Sequence, residues 1–360
     1  MKLRALIGLL ILALVLQSCL VGRFVWYNFA GIKDYKIFPS RPLPKSDKPF
    51  RFVEALAKDK IGKNSVRKID SIASANKSVA FLIIRNDSLL FERYYQGYDK
   101  SSPVASFSMA KSYTSALVGA AIADGFIKSV EEPIINYIPE LKNRKGFDKI
   151  KILHLLQMTS GIRGPESYWN PFGYAAKLYY GRNMRRFLLH LKIKTDEAPG
   201  AKWTYSSINT ELLGLILERT TGKSITAYLN DKIWQHLGAE YDASWSIDRK
   251  NNGIEKTFCC LNAKARDFAK FGRLYLHKGN WNGQQLVPLK WVEESLRPTT
   301  EEGGRPFYKY QWWFGKNCYW AEGILGQFIY VNPKKNVIIV RLGEKEMDWP
   351  SLFNAIAEKM

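Results

Sequence analysis

Ser108-Met109-Ala110-Lys111, leading into Ala116-Leu117-Val118-Gly119-Ala120-Ala121-Ile122, is the stretch on which the reading of this chain turns. A serine hydroxyl is a weak nucleophile until a base takes its proton, and on a helix a lysine three residues on shares the serine's face. The apolar run predicts a helix from Ser108 to Asp124-Gly125 that is too hydrophobic for the surface. At the N-terminus of such a helix, free N–H groups and the dipole favour developing negative charge. An N-cap serine beside a solvated lysine would carry the same letters. Context chooses, because Ser-x-x-Lys also occurs at Ser65/Lys68 and Ser74/Lys77. Both of those lie in Lys63–Lys77, where Val66, Ile69, Ile72 and Ala73 form the apolar stripe and leave Ser and Lys on a solvated face.

The chain has 360 residues, 46% of them hydrophobic and 14% aromatic, enough to bury a large core in one big domain or two closely packed ones. Lys2 and Arg4 precede the apolar run Ala5–Leu16, and Leu16-Gln17-Ser18-Cys19 follows. Positive, apolar and cleavage regions in that order read as a secretory signal. Cys19 is a lipidation candidate, because Leu-x-Ser-Cys resembles the bacterial lipobox. An uncleaved anchor through about Val21 is the alternative, since ~18 residues can just span a bilayer. A core helix is the third reading. Residues 1–77 hold fifteen Lys/Arg against five Asp/Glu, so much of the net charge of +21 sits next to this segment. A basic, membrane-proximal stalk is drawn to anionic headgroups. No zinc-finger, helix-turn-helix or RNP pattern organises the charge for nucleic acid. His154, His190, His236 and His277 are scattered without ligand spacing, which predicts no metal site. Cys259 and Cys260 are neighbours and on sequence grounds badly placed to bridge each other.

Residues 20–51, with Pro39, Pro42, Pro44 and Pro49, read as a basic extended tether, and Phe52–Lys77 as helix. Val79–Ile84 and Leu89–Tyr95 around Arg85-Asn86-Asp87-Ser88 predict a β-hairpin. From Met109 to about Leu296 the pattern is mostly helical. Strands return at Tyr310–Gly315, Cys318–Glu322, Gly326–Val331 and Asn336–Leu342, before a last helix over 349–360. The sheet is thus expected to be assembled from both chain ends around a helical insertion of about 112–300, within a domain spanning 52–360.

Three further stretches join Ser108/Lys111. Tyr205-Ser206-Ser207 follows Pro199-Gly200 and precedes the helix Asn209-Thr210-Glu211-Leu212-Leu213-Gly214; Leu155-Leu156-Gln157-Met158-Thr159-Ser160-Gly161 opens the insertion; Glu322-Gly323-Ile324 starts a late strand. Over about residues 75–345 this set resembles the serine β-lactamase/penicillin-binding-protein superfamily, in the class C branch that also holds esterases, D-aminopeptidases and 6-aminohexanoate-dimer hydrolases. The resemblance implies an α/β (α+β) β-lactamase/transpeptidase-like fold: an antiparallel sheet flanked by helices, carrying the large helical insertion. It implies that Ser108 is the nucleophile, Lys111 its proton acceptor and Tyr205 the tyrosine that protonates the leaving group. The backbone N–H groups of Ser108 and Ile324 would form the oxyanion hole, with Gly323 permitting close approach. A Lys–Tyr pair can serve only if one pKa is lowered, by the neighbouring cation or by burial.

Two departures bear on substrate. Ala321-Glu322-Gly323 stands where β-lactamases and penicillin-binding proteins carry Lys-Thr-Gly, so the groups that would hold a β-lactam carboxylate are missing and an acid replaces them. The tyrosine motif ends in Ser207, with Asn209 nearby. These residues, Tyr168 in an aromatic stretch, and Trp312 in Gln311-Trp312-Trp313 are the pocket candidates. The expectation is an exported hydrolase, anchored in the cell envelope through its N-terminus, that cleaves a small-molecule or short-peptide ester or amide through an acyl-enzyme with no cofactor. A D,D-peptidase or β-lactamase, and a catalytically silent envelope binding protein, are the alternatives.

Overall fold

The computed structural model describes residues 20–27, 29–55, 63–162, 166, 170, 172–193 and 197–360. Cys19 and Tyr168 lie outside them. The chain runs through α1 (Leu20–Tyr27), β1 (Ser40–Leu43), β2 (Val53–Glu54), α2 (Lys63–Ala75), β3 (Ser78–Arg85), β4 (Ser88–Tyr94) and β5 (Val104–Ala105) to α3 (Ala110–Ala123). Next come α4 (Ile152–Leu156), α5 (Tyr174–Tyr180), α6 (Met184–Leu188), α7 (Ser207–Thr221), α8 (Ile225–Leu229), β6 (Ala243–Ser246), β7 (Leu261–Ala263) and α9 (Ala265–Leu276). A hairpin of β8 (Asn280–Trp281) and β9 (Gln284–Gln285) precedes α10 (Leu289–Ser295). β10 (Tyr308–Lys309), β11 (Trp312–Gly315), β12 (Cys318–Gly323), β13 (Gln327–Asn332), β14 (Val337–Gly343) and α11 (Trp349–Glu358) complete it.

The main sheet has the order β10-β11-β12-β13-β14-β3-β4-β2. Its centre is the junction of the two chain ends, β14 antiparallel to β3 with Ile339 opposite Ile83. β3 is buried along almost its whole length because both faces of the sheet are covered. Side chains alternate across a strand, so Ala80, Leu82 and Ile84 join the main core. Phe81 and Ile83 join a second core under α2 and α11, with Ile69, Trp349 and Phe353. Each such aliphatic or aromatic side chain contributes about 1.5–3 kcal/mol on burial. The hairpin between β3 and β4 turns through Asn86 and Asp87, both at positive φ, as a right-twisted two-residue turn requires. Arg341 is wholly buried and donates to the carbonyls of Leu325, Gly326 and Asn76, which fixes the turn between β12 and β13 beside the cleft described below.

Two expectations are corrected. The segment read as an extended tether is folded: it contains α1, and β1 pairs with β6, while Ile32 and Leu43 enter the main core. Its prolines were compatible with this because β1 is an edge strand, where Pro42 removes no needed donor. Of the helix expected over Phe52–Lys77, the described residues show Lys63–Ala75, while Val53–Glu54 instead pairs in parallel with β4. The mostly helical insertion also carries β6 and β7, which build a four-stranded sheet with β1 and β5 behind the serine. Among the described residues, no helix is long and apolar enough to cross a membrane.

Candidate active site

Phe107 has a φ of 45°, in the left-handed region that costs a bulky residue about 1–3 kcal/mol and that clusters at functional sites. It turns the chain between β5 and α3. From Val104 to Ala121 every residue is buried except Ser108, which this turn delivers to the wall of a cleft of about 820 Å³. Ser65 and Ser74, by contrast, stand on α2 beside exposed Lys68 and Lys77.

Lys111, one helical turn on, is 1% exposed. Its Nζ lies 2.9 Å from Ser108 Oγ, 2.9 Å from Ser207 Oγ and 3.0 Å from the Phe258 carbonyl oxygen. Burial disfavours the ammonium and brings its pKa down to about 8, against the opposing pull of Glu166 and Glu211. Ser207 accepts from Lys111 because its own hydroxyl donates to Glu166 Oε1, whose other oxygen takes the Ser207 N–H at 2.9 Å. When Lys111 is neutral, its two N–H bonds have the Phe258 carbonyl and Ser207 as acceptors. Its lone pair then faces Ser108.

Tyr205 responds in the opposite sense. Burial, followed by the charge of Glu166, raises its phenol well above the ordinary value, while a hydrogen bond with Ser108 works against the rise. Its ring is held by Trp313, stacked at 5.7 Å, and by the edge of Tyr308 at 6.0 Å, with Lys111 Nζ 5.0 Å from its centroid. The lysine is therefore the group able to accept a proton, and the tyrosine the group able to donate one. Burial, not the mutual charge effect, separates them.

The Phe258 carbonyl belongs to a turn pinned from two sides. Thr257 donates its N–H and hydroxyl to buried Glu211, both at 2.9 Å, and Lys256 Nζ reaches the carbonyls of Leu178 and Tyr179 at 3.0 and 2.8 Å. Burial raises Glu211 to about 8 and lowers Lys256 to about 8. At Gly214 on α7, a Cβ would sit 2.5 Å from the Thr257 side chain, so glycine lets the helix approach. The next residues correct a further expectation: Cys259 and Cys260 form a disulfide. In an extended strand adjacent Cβ atoms point apart, but here Cys260 takes a φ of 69° directly after a turn closed by the Cys259 N–H on the Lys256 carbonyl, and the two sulfurs meet.

The end of β12 lies against the serine. A Cβ on Gly323 would meet the Ser106 carbonyl oxygen at 2.4 Å and the Ser108 nitrogen at 3.1 Å, so the glycine is a matter of close approach. Ile324 follows it in the cleft wall with Glu322, whose carboxyl is raised by burial and opposed by a hydrogen bond from Trp320 Nε1 at 2.8 Å. The structure thus brings Ser108, Lys111, Tyr205, Ser207, Glu322, Gly323 and Ile324 together. Two pocket candidates fall elsewhere. Trp312 is fully buried against Tyr275, because strand alternation turns Trp313 to the cleft instead. Asn209 is buried on α7 and accepts from Ser160 at 2.6 Å, which ties down the Met158–Ser160 loop. Glu166 and the Phe258 carbonyl were missed. Glu166 had one signal, as the sole acidic residue between Asp148 and Asp196; a carbonyl has none.

This fold and site define a serine hydrolase. The chain belongs to the β-lactamase family, whose model matches residues 69–348. The 6-aminohexanoate-dimer hydrolase of Paenarthrobacter ureafaciens is 29% identical over 296 residues, 75% of this chain and 72% of its own. A Bacillus anthracis structure provisionally described as a 6-aminohexanoate-dimer hydrolase superposes with a TM-score of 0.77 at 26% identity, covering 90% of this chain and 91% of that one. A family VIII carboxylesterase shares the fold with a TM-score of 0.67 at 16% identity, over 86% of this chain and 99% of its own.

Gly323→Val should lower kcat/KM for a p-nitrophenyl ester by ~10²-fold or more, the scale of a displaced oxyanion donor. Circular dichroism should show the fold retained. Wild-type turnover in this variant would contradict the close approach of β12 to Ser108.

Proposed function

We propose that this chain is an exported, membrane-anchored enzyme that hydrolyses a neutral or cationic ester or amide through an acyl-enzyme on Ser108. Lys111 takes the Ser108 proton as Oγ bonds to the substrate carbonyl, and Tyr205 gives a proton to the departing alcohol or amine as its bond to carbon breaks. Water then attacks the acyl carbon, giving a proton to the Tyr205 phenolate, while Lys111 returns its proton to Ser108 Oγ as the acid is released. The observation that carries the reading is Lys111 Nζ at 2.9 Å from Ser108 Oγ with its pKa brought down to about 8. A base tuned close to ambient pH is what general-base catalysis needs. The relatives named for an amide-bonded dimer support an amide or ester as substrate. The basic, apolar N-terminal segment supports export and anchoring.

Charge sets the substrate class. Glu166, Glu322 and Glu346 line the cleft, and no Lys or Arg is among its described lining residues. An anionic substrate would meet three acids in the cleft wall, with buried Lys111 behind Ser108 as the cation at the site. A neutral ester or an amine-bearing amide would not.

The direct test is covalent labelling by a fluorophosphonate. The wild type should be labelled and Ser108→Ala should not, with Ser65→Ala and Ser74→Ala labelled normally; persistent labelling of Ser108→Ala would end the mechanism.

Substrate preference is a separate test. Missing a charge-assisted hydrogen bond to a penicillin carboxylate removes ~1.5–3 kcal/mol, or ~10–100-fold in rate, before any repulsion from Glu322. The wild type should hydrolyse p-nitrophenyl esters and leave nitrocefin nearly untouched, and Glu322→Lys should shift acylation towards penicillins. Nitrocefin turnover matching the ester rate would restore the β-lactamase alternative.

A further inference from the structure

α1 carries Leu20, Arg23, Phe24 and Tyr27 at the i, i+3, i+4, i+7 spacing of one helical face. That face packs on the domain: Phe24 meets Tyr180 edge-on at 5.7 Å and Tyr27 stacks on it at 6.4 Å. Phe24 and Phe29 thereby become part of the wall of the cleft that ends at Ser108. The opposite side of α1 presents Val25, 70% exposed, and Trp26, 60% exposed. Water-facing apolar side chains of this size, on a helix beside the mouth of a largely apolar cleft, need an occupant.

The neighbouring surface says which. Residues 172–193 contain five Lys/Arg and no acid, and Arg182, Arg186 and Lys192 are exposed. Arg182, Arg186, Lys177 and His190 line a shallow groove that also includes Leu20, the residue after Cys19. Exposed apolar side chains on α1 and the cations of the groove that adjoins this helix, a few residues after Ala5–Leu16, match the interface of an anionic bilayer, where Trp sits at headgroup depth and Lys and Arg meet phosphate.

We infer that the face formed by α1 and the α5–α6 segment docks on an anionic phospholipid bilayer, so that the mouth of the catalytic cleft opens at the membrane surface. The cleft then receives the acyl chain of a membrane-borne amphiphilic ester between Phe24, Phe29 and Tyr179, and the carbonyl reaches Ser108. The substrate half of this inference rests on the hydrolase reading given above. The docking half does not.

The full chain is reconstituted in phosphatidylcholine vesicles with and without phosphatidylglycerol. Amide hydrogen exchange, read without substrate, should slow over 20–27 and 172–190 only when phosphatidylglycerol is present. Equal exchange in both vesicles, or slowing with protein concentration in the absence of vesicles, would overturn docking; the latter would assign the face to a second copy. Hydrolysis is then compared for soluble p-nitrophenyl acetate and vesicle-borne 4-methylumbelliferyl palmitate. The variant Val25→Ser/Trp26→Ser/Arg182→Glu/Arg186→Glu should lose about tenfold or more on the palmitate and stay within about twofold on the acetate. Equal losses on both substrates, or no loss on either, would overturn bilayer delivery. Failure of the wild type to hydrolyse the acetate would sink the hydrolase reading, while the exchange result still decides docking.

Discussion

The desolvation of one ammonium group, Lys111 at the foot of α3, is the constraint to which the rest of the site conforms. A lysine in water holds its proton to ~10.4 and cannot deprotonate a serine at neutral pH. Enclosed by α3, α7 and the Phe258 turn, Lys111 falls to about 8. That shift is useful only if the neutral amine remains positioned, and the Phe258 carbonyl and Ser207 hydroxyl provide its two acceptors. The same enclosure acts in the opposite direction on the Tyr205 phenol, which stays protonated. One physical cause, withdrawal of water, moves two groups whose ordinary pKa values nearly coincide in opposite directions.

Holding that arrangement requires structure far from it in sequence. β12 reaches Ser108 from the C-terminal part of the chain because β14 zips onto β3, and buried Arg341 fixes the turn that follows β12. The Phe258 turn is braced by Glu211 on α7 and by its own Lys256, which donates to the Leu178 and Tyr179 carbonyls near the end of α5. Both of these buried groups are titratable and shifted towards neutrality, and removing either partner of such a contact strands buried polar atoms. The strained Phe107 is tolerated because residues on both sides of it are packed.

Much of this was legible in the residues themselves. The β3–β4 hairpin showed in two apolar runs around Asn86-Asp87, the late strands in their β-branched alternation, and the candidate residues that the structure brings together in Ser108, Lys111, Tyr205 and Gly323. The misses share a physical reason, which is that they depend on tertiary partners. Pro-rich residues 20–51 read as a tether because nothing local shows that Ile32 and Leu43 have a core to enter. Trp312 and Trp313 are indistinguishable until a register decides which faces the cleft. A backbone carbonyl such as that of Phe258 has no letter, and the Cys259–Cys260 bridge follows from a turn conformation that adjacency alone does not disclose.

The acids of the cleft wall and the aromatic lining contributed by α1 and α5 bear on which substrates arrive, but the chemistry stands or falls on Lys111. Its titration can be observed directly in protein labelled with [13Cε]lysine, the Lys111 resonance being assigned by its loss in Lys111→Arg. The account predicts an inflection at about 8, with the amine neutral and catalytically competent above that pH and protonated below it. A Lys111 resonance that titrates at the ordinary ~10.4 in an enzyme active at neutral pH would contradict it.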